Sequence, residues 1–284
     1  MRNSIWNQRF QHFIPLILNK GHARFSEKIF IESLKEIYPQ YKLPVADLVL
    51  EVIPKMMNSM IVSLMKENLT MQLSEKSLLG YCQFHHMLLY YADLYPSIER
   101  KANQTIERFL SSTRNRTKRD VPDLGSFLVL LTLSKHSWKD IAIPLFLEAS
   151  DRNVRWMLEK VPELETIEHS LVSQSRIEKT FDAQIVSLRL LMFQAYFLSN
   201  VSRPKGKSWR EMLLHYNETF GTPSLQNKIA LHQHCLDIMN VNNFFLFFKY
   251  IYVDVPNSKF LTKVLKDSIR FSYEKGYHRR SRYN

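Results

Sequence analysis

Apolar residues recur along this chain at steps of three and four, and residues that begin helices restart the pattern at short intervals. Leu78, Leu79, Cys82, Phe84, Met87 and Leu88 form one such set, and Ile185, Leu188, Leu191, Met192, Ala195 and Tyr196 another. At 3.6 residues per turn each set becomes a stripe on one side of a helix, which needs a partner helix to cover it. Ser26 precedes a helix over 27–38, Pro44 sits in the first turn of one over 45–66, Ser74 precedes 75–92 and Pro96 opens 97–110. Ser208-Trp209-Arg210-Glu211 is a capping box, Thr222-Pro223 opens a helix to about Met239, and Ser258 caps 259–274, which Gly276 stops. Pro54 and Pro144 fall inside helical patterns and are expected to kink or divide them.

These signals predict an all-α fold, an irregular multi-helix array of about ten to twelve helices with no significant sheet. Six glycines in 284 residues argue against the tight turns of barrels and nucleotide-binding α/β folds. The whole chain, 1–284, reads as one helical domain. The polar stretch KVPELETIEHSLVSQSR is the candidate joint between sub-layers 1–160 and 176–284. No fixed repeat is present, which disfavours a regular solenoid.

A net charge of +12 favours acidic partners, whether protein or nucleic acid. Two cysteines make no disulfide framework, and the N-terminal apolar run is too short for a signal peptide, so an intracellular location, cytoplasmic or nuclear, is expected. No membrane span is expected, because no window reads as a continuous apolar run of about 18 residues.

The glycine-rich loops that bring backbone amides onto phosphates are missing, since Gly206-Lys207-Ser208 lacks the upstream glycine. No cofactor is implied. The sharpest metal-ligand candidate is Cys82, His85 and His86 set against His234 and Cys235, because one helical face offers a thiolate and an imidazole. The spacings of ordinary structural zinc sites are missing, and histidines packed beside inert thiols are the simpler reading. Cys82 with His85 also has the makings of a nucleophile and its base, although chance neighbours on a helix explain the pair better.

Two segments are candidates for nucleic-acid contact. One is the loop with Arg114, Arg116, Lys118 and Arg119; the other is the tail with Arg279, Arg280 and Arg282, where aromatics are interleaved with cations. Asp151, Arg152 and Asn153, with Asp123 and Gly125 upstream, form a polar cluster between apolar helices. Such a group either satisfies buried helix ends or lines a ligand pocket.

The stretches VPDLGSFLVLLTLS, EASDRNVRWML and SLRLLMFQAYFLSNVSRP resemble a helical region of large multidomain eukaryotic proteins that also carry ubiquitin-conjugating-enzyme-like domains. The likeness runs from about Val49 to Gly276. It implies an accessory helical module linked to ubiquitin conjugation, without conjugating activity of its own, since the His-Pro-Asn stretch of a conjugating fold is missing. The leading expectation is therefore a non-enzymatic helical scaffold or interaction module with a protein partner. A nucleic-acid-binding helical protein and an enzyme with an unrecognised site are the alternatives.

Overall fold

A computed structural model of the chain describes residues 2–3, 9–10, 14–37, 39, 43–66 and 71–278. Among the described residues there are eleven α-helices: α1 Lys20–Ile37, α2 Val45–Lys66, α3 Met71–Leu94, α4 Ser97–Ser111, α5 Leu124–Val129, α6 Trp138–Lys160, α7 Gln174–Phe197, α8 Trp209–Glu218, α9 Leu225–Met239, α10 Phe244–Tyr250 and α11 Ser258–Glu274. Strand pairing among them is confined to two residue pairs, β1 Arg2–Asn3 antiparallel to β2 Arg9–Phe10. The all-α, multi-helix array is what the apolar spacing predicts.

Helix starts follow local chemistry, in places one step away from the expected residue. The Ser208 box forms, with Ser208 N donating to Glu211 Oε2 at 2.7 Å. Asn257 caps α11 by accepting from Phe260 N, and Ser224 caps α9 by accepting from Asn227 N, so neither Ser258 nor Thr222 is the cap. Ser26 is a correction: α1 begins at Lys20, and Ser26 lies buried within it, bonded back to Ala23 O. Likewise α3 begins before Ser74, at Met71.

Neither proline divides its helix. Packing of α2 on α3, α5 and α7, and of α6 on α7 and α11, holds both helices unbroken through Pro54 and Pro144. The polar stretch after α6 forms two 3₁₀ turns, Pro162–Glu165 and His169–Leu171. Lys266 of α11 ties it down by donating to Leu164 O at 2.8 Å and Ile167 O at 2.6 Å.

One cluster of buried apolar side chains runs from Ile17 to Leu265. Phe146 of α6 meets Phe244, Phe247 and Phe248 of α10, while Tyr81 of α3 packs edge-on against Phe193 and Phe197 of α7. Two stretches, Val45–Met65 and Gln174–Ser202, are long and apolar enough to cross a membrane by length and composition, which corrects the expectation that no window is. Over half of each window is buried among other helices, and core helices pass the same test.

Candidate functional site

The polar cluster of α6 divides into parts that do different things. Glu148 and Arg152 are one turn apart and bond to each other, Arg152 Nε to Glu148 Oε1 at 2.8 Å. Lys275, just past α11, places Nζ 2.6 Å from Glu148 Oε2 and 2.7 Å from Asp151 Oδ2, and Tyr277 OH donates to Glu148 Oε1 at 2.9 Å. Two carboxylates and two cations are thus buried together, each charge balanced, which is the condition under which burial is tolerated. Burial pushes the Asp151 carboxyl up to about 6, while Lys275 and Ser268 pull it down.

The rest of Arg152 holds the loop between α4 and α5, donating to Val121 O at 2.7 Å, Arg116 O at 2.9 Å and Pro122 O at 3.3 Å. Asn153 faces away from this network, toward α7, where its Oδ1 accepts from Ser187 Oγ at 3.2 Å. Asp123 caps α5, accepting from Gly125 N, Ser126 N and Asn58 Nδ2. Gly125 is required there, because a Cβ would fall 1.9 Å from Asn58 Oδ1.

His85, His86 and His234 take up interior hydrogen bonds, and Cys82 and Cys235 are buried free thiols. His85 is fully buried: Nδ1 lies 3.1 Å from Tyr216 OH, and Nε2 lies 2.7 Å from Thr132 Oγ1 and 3.3 Å from Ser202 Oγ. Ser202 ends the π-turn that extends α7. Burial pushes the His85 imidazole down to about 3 and the Cys82 thiol up to about 12, so the resting pair is neutral imidazole and neutral thiol. The hollow beside them is about 10 Å³, room for one water and no substrate. His86 bonds to Asn217 at 3.2 Å, and His234 stacks on Tyr196 with Nε2 3.4 Å from Met192 O. Cys235 is buried, its thiol likewise raised to about 12. Among the described residues, no group of three or more His, Cys, Asp or Glu is placed to hold a metal ion.

The basic loop also divides. Arg116 turns inward, its Nε donating to Phe109 O at 3.0 Å and its guanidinium lying over the Phe109 ring. Arg114, Lys118 and Arg119 point to solvent. Lys118 N donates to Tyr277 OH at 2.9 Å, and Lys118 Nζ sits 4.7 Å from the Tyr277 ring centre. Arg279, Arg280 and Arg282 lie outside the described residues.

Of the surface clefts, one of about 510 Å³ lies between α2, α4 and α5 and is rich in charge. Its groups are matched in pairs, Asp47 with Lys101, Glu51 with Lys55 and Asp120 with Arg108. A hydrogen bond from Thr117, then Arg108 and Arg119, hold the Asp120 carboxyl below its usual range, which suits a salt bridge and not a general acid. A second cleft, about 280 Å³, runs between the start of α3 and α9 and is mainly apolar, with Leu78, Leu79, Leu225 and Ile229 in its walls and Glu75, Lys228 and His232 as its charged or titratable members.

Set against family models, curated proteins and solved structures, the chain matches none. Sequence reasoning missed Tyr216, Thr132, Ser202 and Glu148, and it read Lys275 and Tyr277 as part of the basic aromatic tail, whereas both bond to Glu148 at the end of α11. Only Glu148 leaves a local trace, as an acid four residues before Arg152 within an apolar helix; the others meet their partners through the tertiary fold.

Proposed function

We propose that this chain is a non-enzymatic helical interaction module, and that its partner is a protein offering an amphipathic helix with acidic flanks to the groove between α3 and α9. One observation carries the reading. Leu225 and Ile229 are 71% and 62% exposed, and Leu236 follows at helical spacing on the same side of α9. Leu225, Ile229, His232 and Leu236 are spaced 4, 3 and 4 apart, the interval at which a second helix inserts its own apolar side chains. An exposed apolar stripe of this kind costs solubility unless it is covered.

Charge selects among occupants. Two copies of a chain with net charge +12 repel each other, whereas an acidic helix is drawn in. The accessory role in ubiquitin conjugation implied by the sequence resemblance also makes the partner a protein.

The test uses a fluorescein-labelled 20-residue peptide designed as a helix, with leucines at the same 4-3-4 spacing and glutamates on its flanks. Full-length chain should raise its anisotropy, and Ile229→Glu should weaken binding at least tenfold while urea unfolding is unchanged. The same peptide with its sequence scrambled should not bind. Equal binding of the scrambled peptide, or of Ile229→Glu, overturns the reading, as does a concentration-dependent dimer that Ile229→Glu dissolves.

A further inference from the structure

We infer that a second surface, sharing no wall residue with the α3–α9 groove, binds single-stranded nucleic acid, with Trp156 as the stacking platform for a base and Lys118, Arg119 and Arg114 as the phosphate contacts. The site is a cleft of about 250 Å³ between the turn before α5, α6 and α7, and its walls include Lys118, Arg152, Asn153, Trp156, Ser187 and Leu190.

Several independent features meet here. Trp156 is 52% exposed, whereas Trp138 and Trp209 are each 5% exposed, with their indole nitrogens bonded to Ile251 O and Glu99. A half-bare indole on a cleft wall, one helical turn from Asn153, gives a flat apolar face to a flat ligand. Asn153, in the same cleft wall, carries a buried Nδ2 with no hydrogen-bond partner, its Oδ1 being taken by Ser187, and a base carbonyl is the acceptor that amide lacks.

Lys118 lines the cleft, Arg119 follows it in sequence, and Arg114 lies four residues earlier in the same connection; all three are exposed. Among the described residues no carboxylate pairs with Arg114 or Lys118, and Arg119, 86% exposed, has only Asp120 at 3.6 Å, which Arg108 already holds at 2.6 Å. Arg116 and Arg152, in contrast, are committed to backbone carbonyls, of Phe109 in α4 and of Val121 before α5. The end of α11 is docked on this same loop through Tyr277.

The combination of one aromatic platform with clustered cations distinguishes the ligand. An acidic peptide or an anionic bilayer is satisfied by cations alone, and duplex DNA keeps its bases stacked inside. A single strand uses both, phosphates on the cations and a base on the indole.

The experiment measures full-length chain against labelled 15-residue oligouridylate and oligothymidylate, a duplex of equal length, polyglutamate, and vesicles containing phosphatidylserine, across a salt series. The single strands should bind most tightly, with affinity falling steeply as salt rises. Trp156→Ala should lower single-strand affinity roughly tenfold, in line with the stacking of one base. Trp156→Phe should restore most of it, and both variants should leave duplex and polyglutamate binding where it was. Lys118→Ala combined with Arg119→Ala should flatten the salt dependence. Because these side chains are exposed, unchanged urea unfolding of each variant separates lost binding from lost fold. Polyglutamate or vesicles binding as tightly as the single strands, or Trp156→Ala binding like the parent, overturns the inference. Ile229→Glu, which tests the α3–α9 groove, should leave oligonucleotide binding intact.

Discussion

Gly125 and Gly80 both lie on helices, and a methyl group added at each meets a different neighbour. At Gly125 the new Cβ would stand 1.9 Å from Asn58 Oδ1 and 2.3 Å from its Cγ, so the amide that donates to the α5 cap Asp123 must swing away. At Gly80 it would meet the end of Met60, Sδ and Cε both at 3.3 Å, a flexible chain able to yield. Gly125→Ala should therefore destabilise by about 2 kcal/mol, the cost of stranding a part-buried polar pair. Gly80→Ala should be neutral or stabilising by up to ~1 kcal/mol, because alanine loses less backbone freedom on entering a helix. Urea unfolding of both variants beside the parent checks the contrast, and a Gly125→Ala midpoint at or above that of Gly80→Ala contradicts it. Much at this scale is hidden from sequence. VPDLG shows that Asp123 caps and Gly125 turns, but Asn58, 65 positions upstream of Asp123, leaves no local sign that it fills the space a side chain would need.

Helices, by contrast, were largely legible, because spacing, caps and proline positions act over a few residues. The boundaries that slipped, at Ser26 and Ser74, are serines standing inside a longer helix, and at Ser26 the buried hydroxyl returns its hydrogen bond to the preceding turn instead of capping. What ties element to element was not legible. Four cations clamp carbonyls across the fold: Arg152 those of the turn before α5, Arg189 those of Met65 and Met239, Arg203 those of Leu131, Ser134 and His136, and Lys266 those of Leu164 and Ile167. Part of a charge that reads as a surface property is thus spent inside. The knot joining α6 to the end of α11 is the strongest case, since Glu148 and Lys275 are 127 residues apart. Glu148→Gln leaves two cations facing one carboxylate in a buried place, and should cost roughly 3–5 kcal/mol. Amide exchange over 258–274 should quicken more than elsewhere. Arg270→Ala removes pairs with Asp267 and Glu274 that are well exposed, and should change stability by less than about 1 kcal/mol. Similar effects of the two substitutions would show that the knot does not hold α11.

For the molecule as a whole, acid is the condition that acts on the core directly. Burial, with His86 beside it, holds the His85 imidazole at about 3, and burial holds His234 at about 4, against 6.5 when exposed. A base that takes up its proton less readily folded than unfolded contributes stability that is present above pH 6.5 and is lost as pH falls toward those lower values. Asp151 works in the opposite sense: with its carboxyl raised from 3.8 to about 6, its contribution is present in acid and fades as pH rises through 6. Between pH 7 and pH 5 each of the two histidines removes a little under ~2 kcal/mol, while Asp151 returns a little over ~1 kcal/mol, leaving a net loss of about 2 kcal/mol. The added protons also raise a net charge already at +12, and self-repulsion pushes the same way. Urea unfolding at pH 7 and pH 5 at fixed ionic strength should show a clearly lower midpoint in acid. If the midpoint instead holds or rises, the carboxylate knot of α6 and α11 dominates the titration of the fold, and the buried histidines of α3 and α9 are reached by water more readily than their packing implies.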